Sequence, residues 1–342
     1  MTGERHGEPL PKPDVADKTA GSPFDLFTQA PGSDSGSETV RTVVVALVAN
    51  ALVAAAKSVA AAVTGSPSIL AEAAHSWADA GNEVFLLVAI RRSSLPADEA
   101  HPLGHGREAY VWSLFAAMGL LTAGAAVSVT HGVQELLKPE PAGSFGVGYA
   151  VLILAFVLEG ISLLQSARQV RGEARSLDRD FLEHVLATSD PTVRAVFAED
   201  SAALIGLVIA AAGLAGHQLT GSTVPDAAGS ILVGLLLAVV AVILLNRNRR
   251  FLVGEQTDPR VRSAALRALL ADPDVARVTY LRLEIVGPRM VSVIGDVDLT
   301  GDDTESHVAV RLRALEARVA ASPAVAGALL SLSAPDEPSI VV

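Results

Sequence analysis

No cysteine occurs in the 342 residues. That absence excludes disulfides, thiolate metal ligands and cysteine nucleophiles together. Charge is also scarce, at 18% of residues against 50% hydrophobic, a poor match to a soluble domain. Basic residues are the rarer sign, 26 against 37 acidic, for a net charge of −11. Much of the acidic excess sits near the two ends, and no basic patch of the kind that holds nucleic acid is present. There is no Gly-x-Ser-x-Gly elbow and no His-Glu-x-x-His run, and no repeat of solenoid type.

The apolar residues are gathered into six blocks, near 42–62, 68–90, 109–134, 144–166, 191–216 and 227–246. Roughly 20 helical residues cross a bilayer core. Backbone facing lipid must satisfy its own hydrogen bonds, so six membrane helices are expected rather than barrel strands. Basic residues fix the orientation. Arg91, Arg92 and Arg107 lie between blocks two and three, Arg168, Arg171, Arg175 and Arg179 between four and five, and Arg247, Arg249 and Arg250 after six. The other connections carry only Lys138. Both termini are therefore expected in the cytoplasm. The chain is expected to divide into a disordered Gly/Pro/Ser-rich tail at 1–38, membrane helices at 39–250, a small domain at 251–335 and a short tail at 336–342. The first apolar block begins too late and runs too long for a signal peptide.

Block two is chemically unusual. Glu72, His75, Asp79 and Glu83 follow at steps of three, four and four, which stacks them on one helical stripe. Ionisable groups at membrane depth are costly and commonly mark an ion or proton path. His75 and Asp79 can direct a nitrogen and an oxygen at one point, which is half of a tetrahedral metal site. In block five, Asp190 is placed to cap the helix and Pro191 to open it. Asp200 then lies roughly 14 Å along the axis, at a depth where it can meet Asp79. One imidazole with two carboxylates suits zinc, and would also accept cobalt, nickel, iron or manganese. Magnesium and calcium prefer all-oxygen sites.

After block six the pattern turns to that of a soluble domain. A helix is expected at 258–272, strands at 275–286 and 290–299 broken at Gly287-Pro288, a second helix at 304–321 and a last strand at 327–333. This order suggests an open-faced α+β sandwich of ferredoxin-like type. Its single histidine, His307, argues against a metal cluster there, so dimerisation is its expected role.

The run Ser68-Ile69-Leu70-Ala71-Glu72-Ala73-Ala74-His75-Ser76-Trp77-Ala78-Asp79 resembles the second membrane helix of the cation diffusion facilitators. The segment Pro96-Ala97-Asp98-Glu99-Ala100-His101-Pro102-Leu103-Gly104-His105-Gly106-Arg107 is similar to their loop between helices two and three. Asn50 and Lys57 fit as well, as do the six helices and the small cytoplasmic domain. The resemblance covers about 41–335. It implies a homodimeric transporter in the lipid bilayer, exchanging a divalent cation, usually zinc, for protons, with no prosthetic group. It implies ligands from helices two and five: His75 and Asp79 match the first pair, and Asp200 matches one of the second. Val196 stands where most members carry the other, His or Asp. Glu199-Asp200-Ser201-Ala202-Ala203-Leu204, after Asp190-Pro191-Thr192, resembles a branch with a mitochondrial zinc exporter, which shares the departure.

Glu199 is about 100° around the helix from Asp200. It has three readings: a ligand reaching in, a proton acceptor, or a partner of Lys57. Water competes with it for the fourth position. For Asp98, His101 and His105 the resemblance implies a secondary metal site, while a solvated loop turning at Gly104 and Gly106 explains the same residues. Glu159 pairs with a basic residue or carries protons. Glu72 and Glu83 either guide ions or hold helices together. His131, His184, His217 and His307 read as packing or surface. Two other classes of function stay open: an integral-membrane metal-dependent enzyme and a membrane-anchored metal sensor. A histidine and an aspartate separated by three residues do not match the acyltransferase spacing of four, and a sensor leaves the costly residues in the spans unexplained. The composition points to a GC-rich bacterium and hence to its inner membrane.

Overall fold

The computed structural model describes residues 36–139, 144–176, 180–181, 184–185 and 188–341. Most of the tail expected at 1–38, and Arg179, fall outside these. Six long helices come first: α1 Gly36–Thr64, α2 Pro67–Ser93, α3 Glu108–Leu137, α4 Phe145–Ser176, α5 Pro191–Thr220 and α6 Val224–Val253. By length and composition, α3 to α6 can each cross a membrane. In α2 the charged stripe lowers the hydropathy, yet α1 and α2 pack with the rest as one six-helix bundle.

Local chemistry sets where the two site-bearing helices begin. Ser66 Oγ accepts the backbone N–H of Ile69 at 3.3 Å ahead of Pro67. Asp190 Oδ1 accepts that of Thr192 at 2.9 Å ahead of Pro191. Each side chain satisfies a donor that the first turn leaves without an intrahelical partner. Arg91 and Arg92 close α2, where positive charge suits the helix dipole. The basic stretch after block four proves helical as well: α4 runs on to Ser176 and carries Arg168, Arg171 and Arg175 on its polar end.

The two larger apolar clusters of the bundle both include α2 and α5. Ala60, Ile69, Leu152, Leu207 and Leu214 join α1, α2, α4 and α5. Ala71, Leu120, Ala202, Val233 and Leu237 join α2, α3, α5 and α6. Outward faces keep large apolar residues exposed, among them Leu52, Ile153, Ile161, Val208 and Leu235, the surface that lipid would cover. One departure from expectation is a π-helical stretch inside α3, Leu120–Ala126. Such stretches widen a helix locally and recur near functional sites.

The C-terminal domain contains α7 Pro259–Ala271, β1 Val275–Gly287, β2 Met290–Leu299, α8 Glu305–Ala320 and β3 Val325–Leu332. The sheet order is β1-β2-β3, antiparallel between the first pair and parallel between the second. Leu266, Leu269, Leu283, Val293, Leu315, Val319 and Leu330 form one core between the helices and the sheet. Tyr280 and Leu329 point away from it and stay exposed, as an open-faced sandwich requires.

The β1–β2 hairpin abuts the ends of α3, α5 and α6. Arg107 pairs with Glu284 at 2.5 Å, and Arg289 with Asp190 at 3.6 Å. Tyr110 stacks on Phe251 at 5.1 Å between ring centroids and, with Ile285, forms a small buried cluster. Gly106 and Gly287 touch backbone to backbone: a Cβ on Gly106 would lie 2.7 Å from the Val286 carbonyl oxygen. Only residues without side chains fit that contact.

Candidate metal centre

His75 is fully buried in α2, and its Nδ1 lies 3.5 Å from Asp79 Oδ1 one turn on. Neither ring nitrogen makes a hydrogen bond, and neither does Asp79 Oδ1. A buried polar atom left unbonded costs about 1–3 kcal/mol, so three together call for an explanation. A nitrogen and an oxygen on one helical face, lacking protein donors and acceptors, are what a transition-metal cation would satisfy.

Asp200 approaches from α5. Electrostatic repulsion reaches Asp79 from Glu199, Glu159 and Asp200, but among the described residues His75, Asp79 and Asp200 do not bring three ligand atoms within 4.8 Å of one another. Asp200 Oδ2 accepts hydrogen bonds from Ser162 at 2.9 Å and Ser166 at 3.4 Å on α4. The serines leave its other oxygen available while holding the carboxylate in place. Glu199 is buried and accepts from Asn82 Nδ2 at 2.5 Å, one turn beyond Asp79. Of the three readings of Glu199, the pairing with Lys57 is not what forms. Lys57 binds Glu72 at 3.2 Å and Ser76 at 2.7 Å, with Glu159 at 3.8 Å. Rotation explains the exchange: Glu199 sits around the helix from Asp200, on the side that meets α2 near Asn82.

Three contributors escaped the sequence reading. Asn82, Ser162 and Ser166 all hold carboxylates, and a signal for two of them existed. Glu159, Ser162 and Ser166 follow at steps of three and four, a polar stripe on α4 like that on α2. Glu83 accepts from Asn50 at 3.5 Å, an interhelical contact. Glu72 is likewise interhelical through Lys57. His217, read as lone, lies 3.9 Å from the buried carboxylate of Asp226.

The loop between α2 and α3 gathers a second group. Asp98 Oδ1 is 3.0 Å from His101 Nδ1, and Oδ2 is 3.2 Å from His105 Nε2. Ligand atoms of all three lie within 4.8 Å of one another. The His101 backbone N–H, then the His105 and His101 rings, hold the exposed Asp98 carboxyl down at about 2. The loop turns at Gly104, φ +77°, which favours glycine. Both readings of this loop, metal site and solvated turn, were geometrically possible; the side chains do converge.

Residues 43–253 match the model of the cation efflux transmembrane domain. The chain belongs to the cation efflux family. It is 34% identical over 261 residues to metal tolerance protein C4 of Arabidopsis thaliana, covering 76% of this chain and 57% of that protein. The mitochondrial proton-coupled zinc antiporter SLC30A9 of Homo sapiens is 33% identical over 276 residues, 81% of this chain and 47% of the other. The cation-efflux pump FieF of Klebsiella pneumoniae is 38% identical over 95 residues, 28% of this chain and 31% of its own. The chain spans about half the length of the first two relatives. Family membership and the apolar helices together make it an integral membrane protein.

Proposed function

We propose that the protein is a proton-coupled antiporter that exports divalent transition-metal cations, zinc foremost, from the cytosol. The observation that carries this reading is the buried His75–Asp79 pair, whose facing atoms no protein group satisfies. Asp200 from α5 supplies the third ligand, and Glu199 or water the fourth. Names of relatives that describe zinc antiport and cation efflux support the same reading.

Coupling follows from competition. The metal needs a neutral imidazole and ionised carboxylates, and protons compete for the same atoms. Metal arriving from the cytosol displaces protons, and protons from the far side displace the metal. The arginine-rich helix ends lie beside the C-terminal domain, as Arg107–Glu284 illustrates, so that domain is cytoplasmic by the positive-inside rule. It serves dimerisation, through the open sheet face or a helix, in a bacterial inner membrane. The Asp98–His101–His105 loop is a secondary site on the cytoplasmic side.

Sealed proteoliposomes provide the test. Zinc should accumulate against an imposed proton gradient, and His75→Ala and Asp79→Ala should abolish it. Near wild-type flux from either variant would defeat the reading, and absence of flux in the wild type would favour an enzyme or sensor. Cobalt, nickel, iron and manganese, added as competitors, rank the cargo.

A further inference from the structure

The bundle interior holds many acids and one buried lysine. Glu72, Asp79, Glu83, Glu159, Glu199 and Asp200 all lie on α2, α4 or α5, and like-charge repulsion links Asp79 to three of them. A divalent cation free to collect several of these carboxylates would be trapped rather than carried, because an ion held by too many negative oxygens does not leave. Lys57 on α1 is fully buried, with its ammonium bonded to Glu72 Oε2 and Ser76 Oγ and facing Glu159 at 3.8 Å. Ser76 follows His75 directly on α2, and the Lys57 charge is felt electrostatically at both His75 and Asp79. Gly206 on α5 makes room for this arrangement: a Cβ there would lie against Glu72 Oε1.

We propose that Lys57 is a positioning residue that sets the charge of the transport site, holding Glu72 and Glu159 out of the metal's coordination. This rests on the proposed metal centre at His75 and Asp79 and deepens it. The two members of the Lys57–Glu72 pair then act on the cargo with opposite sign. Removing the lysine releases Glu72 and Glu159 to the metal and tightens its binding. Removing the Glu72 charge leaves surplus positive charge beside the site and loosens it. A strut that only joined α1 to α2 would lose function in the same direction whichever end was cut.

The test compares Lys57→Met, Glu72→Gln, the double variant and Lys57→Arg in the full chain. Zinc affinity is read as the KM for flux in proteoliposomes. Where flux is lost, it is read by equilibrium zinc binding in an Asp98→Asn background that removes the loop carboxylate. Expected results are an affinity roughly tenfold or more tighter with Lys57→Met, with slower turnover, and weaker by a similar factor with Glu72→Gln, since a unit charge acts strongly on a divalent ion in this medium. The double variant should return towards the wild-type affinity, and Lys57→Arg should keep it. Shifts of the same sign in both single variants, or no shift in either, would overturn the inference. If Lys57→Met does not fold, the double variant is compared with Glu72→Gln: an affinity restored above that of Glu72→Gln supports the inference, and one equal to or below it overturns it. Asp79→Ala separates the two layers: should it transport normally, the metal centre itself is misplaced, whereas an inactive Asp79→Ala with no opposite signs refutes the role of Lys57 alone.

Discussion

Two groups of histidine and aspartate occur in this chain, one inside the bundle and one in the α2–α3 loop. They use the same side chains at similar spacings, and their surroundings differ completely. In the loop, Asp98 already receives hydrogen bonds from His101 and His105 and stands half exposed to water. In the bundle, His75 is fully buried and neither ring nitrogen is bonded. The loop residues are content without an ion, and the buried pair is not. On the proposed function, what separates the buried pair from the loop is that both ring nitrogens of His75 and the facing oxygen of Asp79 are desolvated and unbonded.

The comparison breaks if the two groups respond alike to mutation. The largest effect is expected from Asp79→Ala, at least about a hundredfold loss of flux, because it removes a proposed ligand rather than a supporting group. Measured in the same vesicles, the double variant Ser162→Ala with Ser166→Ala should lose roughly tenfold, the usual range for groups that orient a ligand. Asn82→Ala should resemble it if Glu199 completes the site, and should be near silent if water does. Substitution at the loop, His101→Ala with His105→Ala, should lower flux less than about threefold while removing one bound zinc per chain, as counted by equilibrium dialysis.

The junction offers a smaller, structural contrast. Gly106→Val forces a side chain into the Gly287 backbone and should destabilise the folded chain by about 1–3 kcal/mol, seen as a lowered melting midpoint. Acid has a graded effect here. Glu284 is held below its ordinary value first by a hydrogen bond from Arg282 and further by Arg107. Its pairing thus contributes above the ordinary glutamate range and is lost as pH falls through the depressed one. Asp98, held at about 2, keeps its histidine contacts until pH falls through that value. A carboxylate titration followed by NMR on the detergent-solubilised chain would show the Asp98 signal moving only near that value.

Much of this was legible from residues alone. The His75–Asp79 pair, the cap at Asp190 and the C-terminal order of helices and strands all depend on local periodicity and turn chemistry. β3 began at Val325 rather than 327 because its parallel pairing with β2 starts at Val291, a partner invisible to local pattern. The partners of Lys57 and Glu199 were also out of reach, since they depend on how helices distant in sequence rotate against one another. The π-helical stretch at Leu120–Ala126 carried no local signal. By contrast, the α4 stripe of Glu159, Ser162 and Ser166 was readable with the same rule that found the stripe on α2.

Zinc-edge X-ray absorption on the full chain, with His101→Ala and His105→Ala in place to silence the loop, tests the central claim most directly. One nitrogen with two or three oxygens near 2.0–2.2 Å is expected, the nitrogen vanishing in His75→Ala. A spectrum that His75→Ala and Asp79→Ala leave unchanged would contradict it.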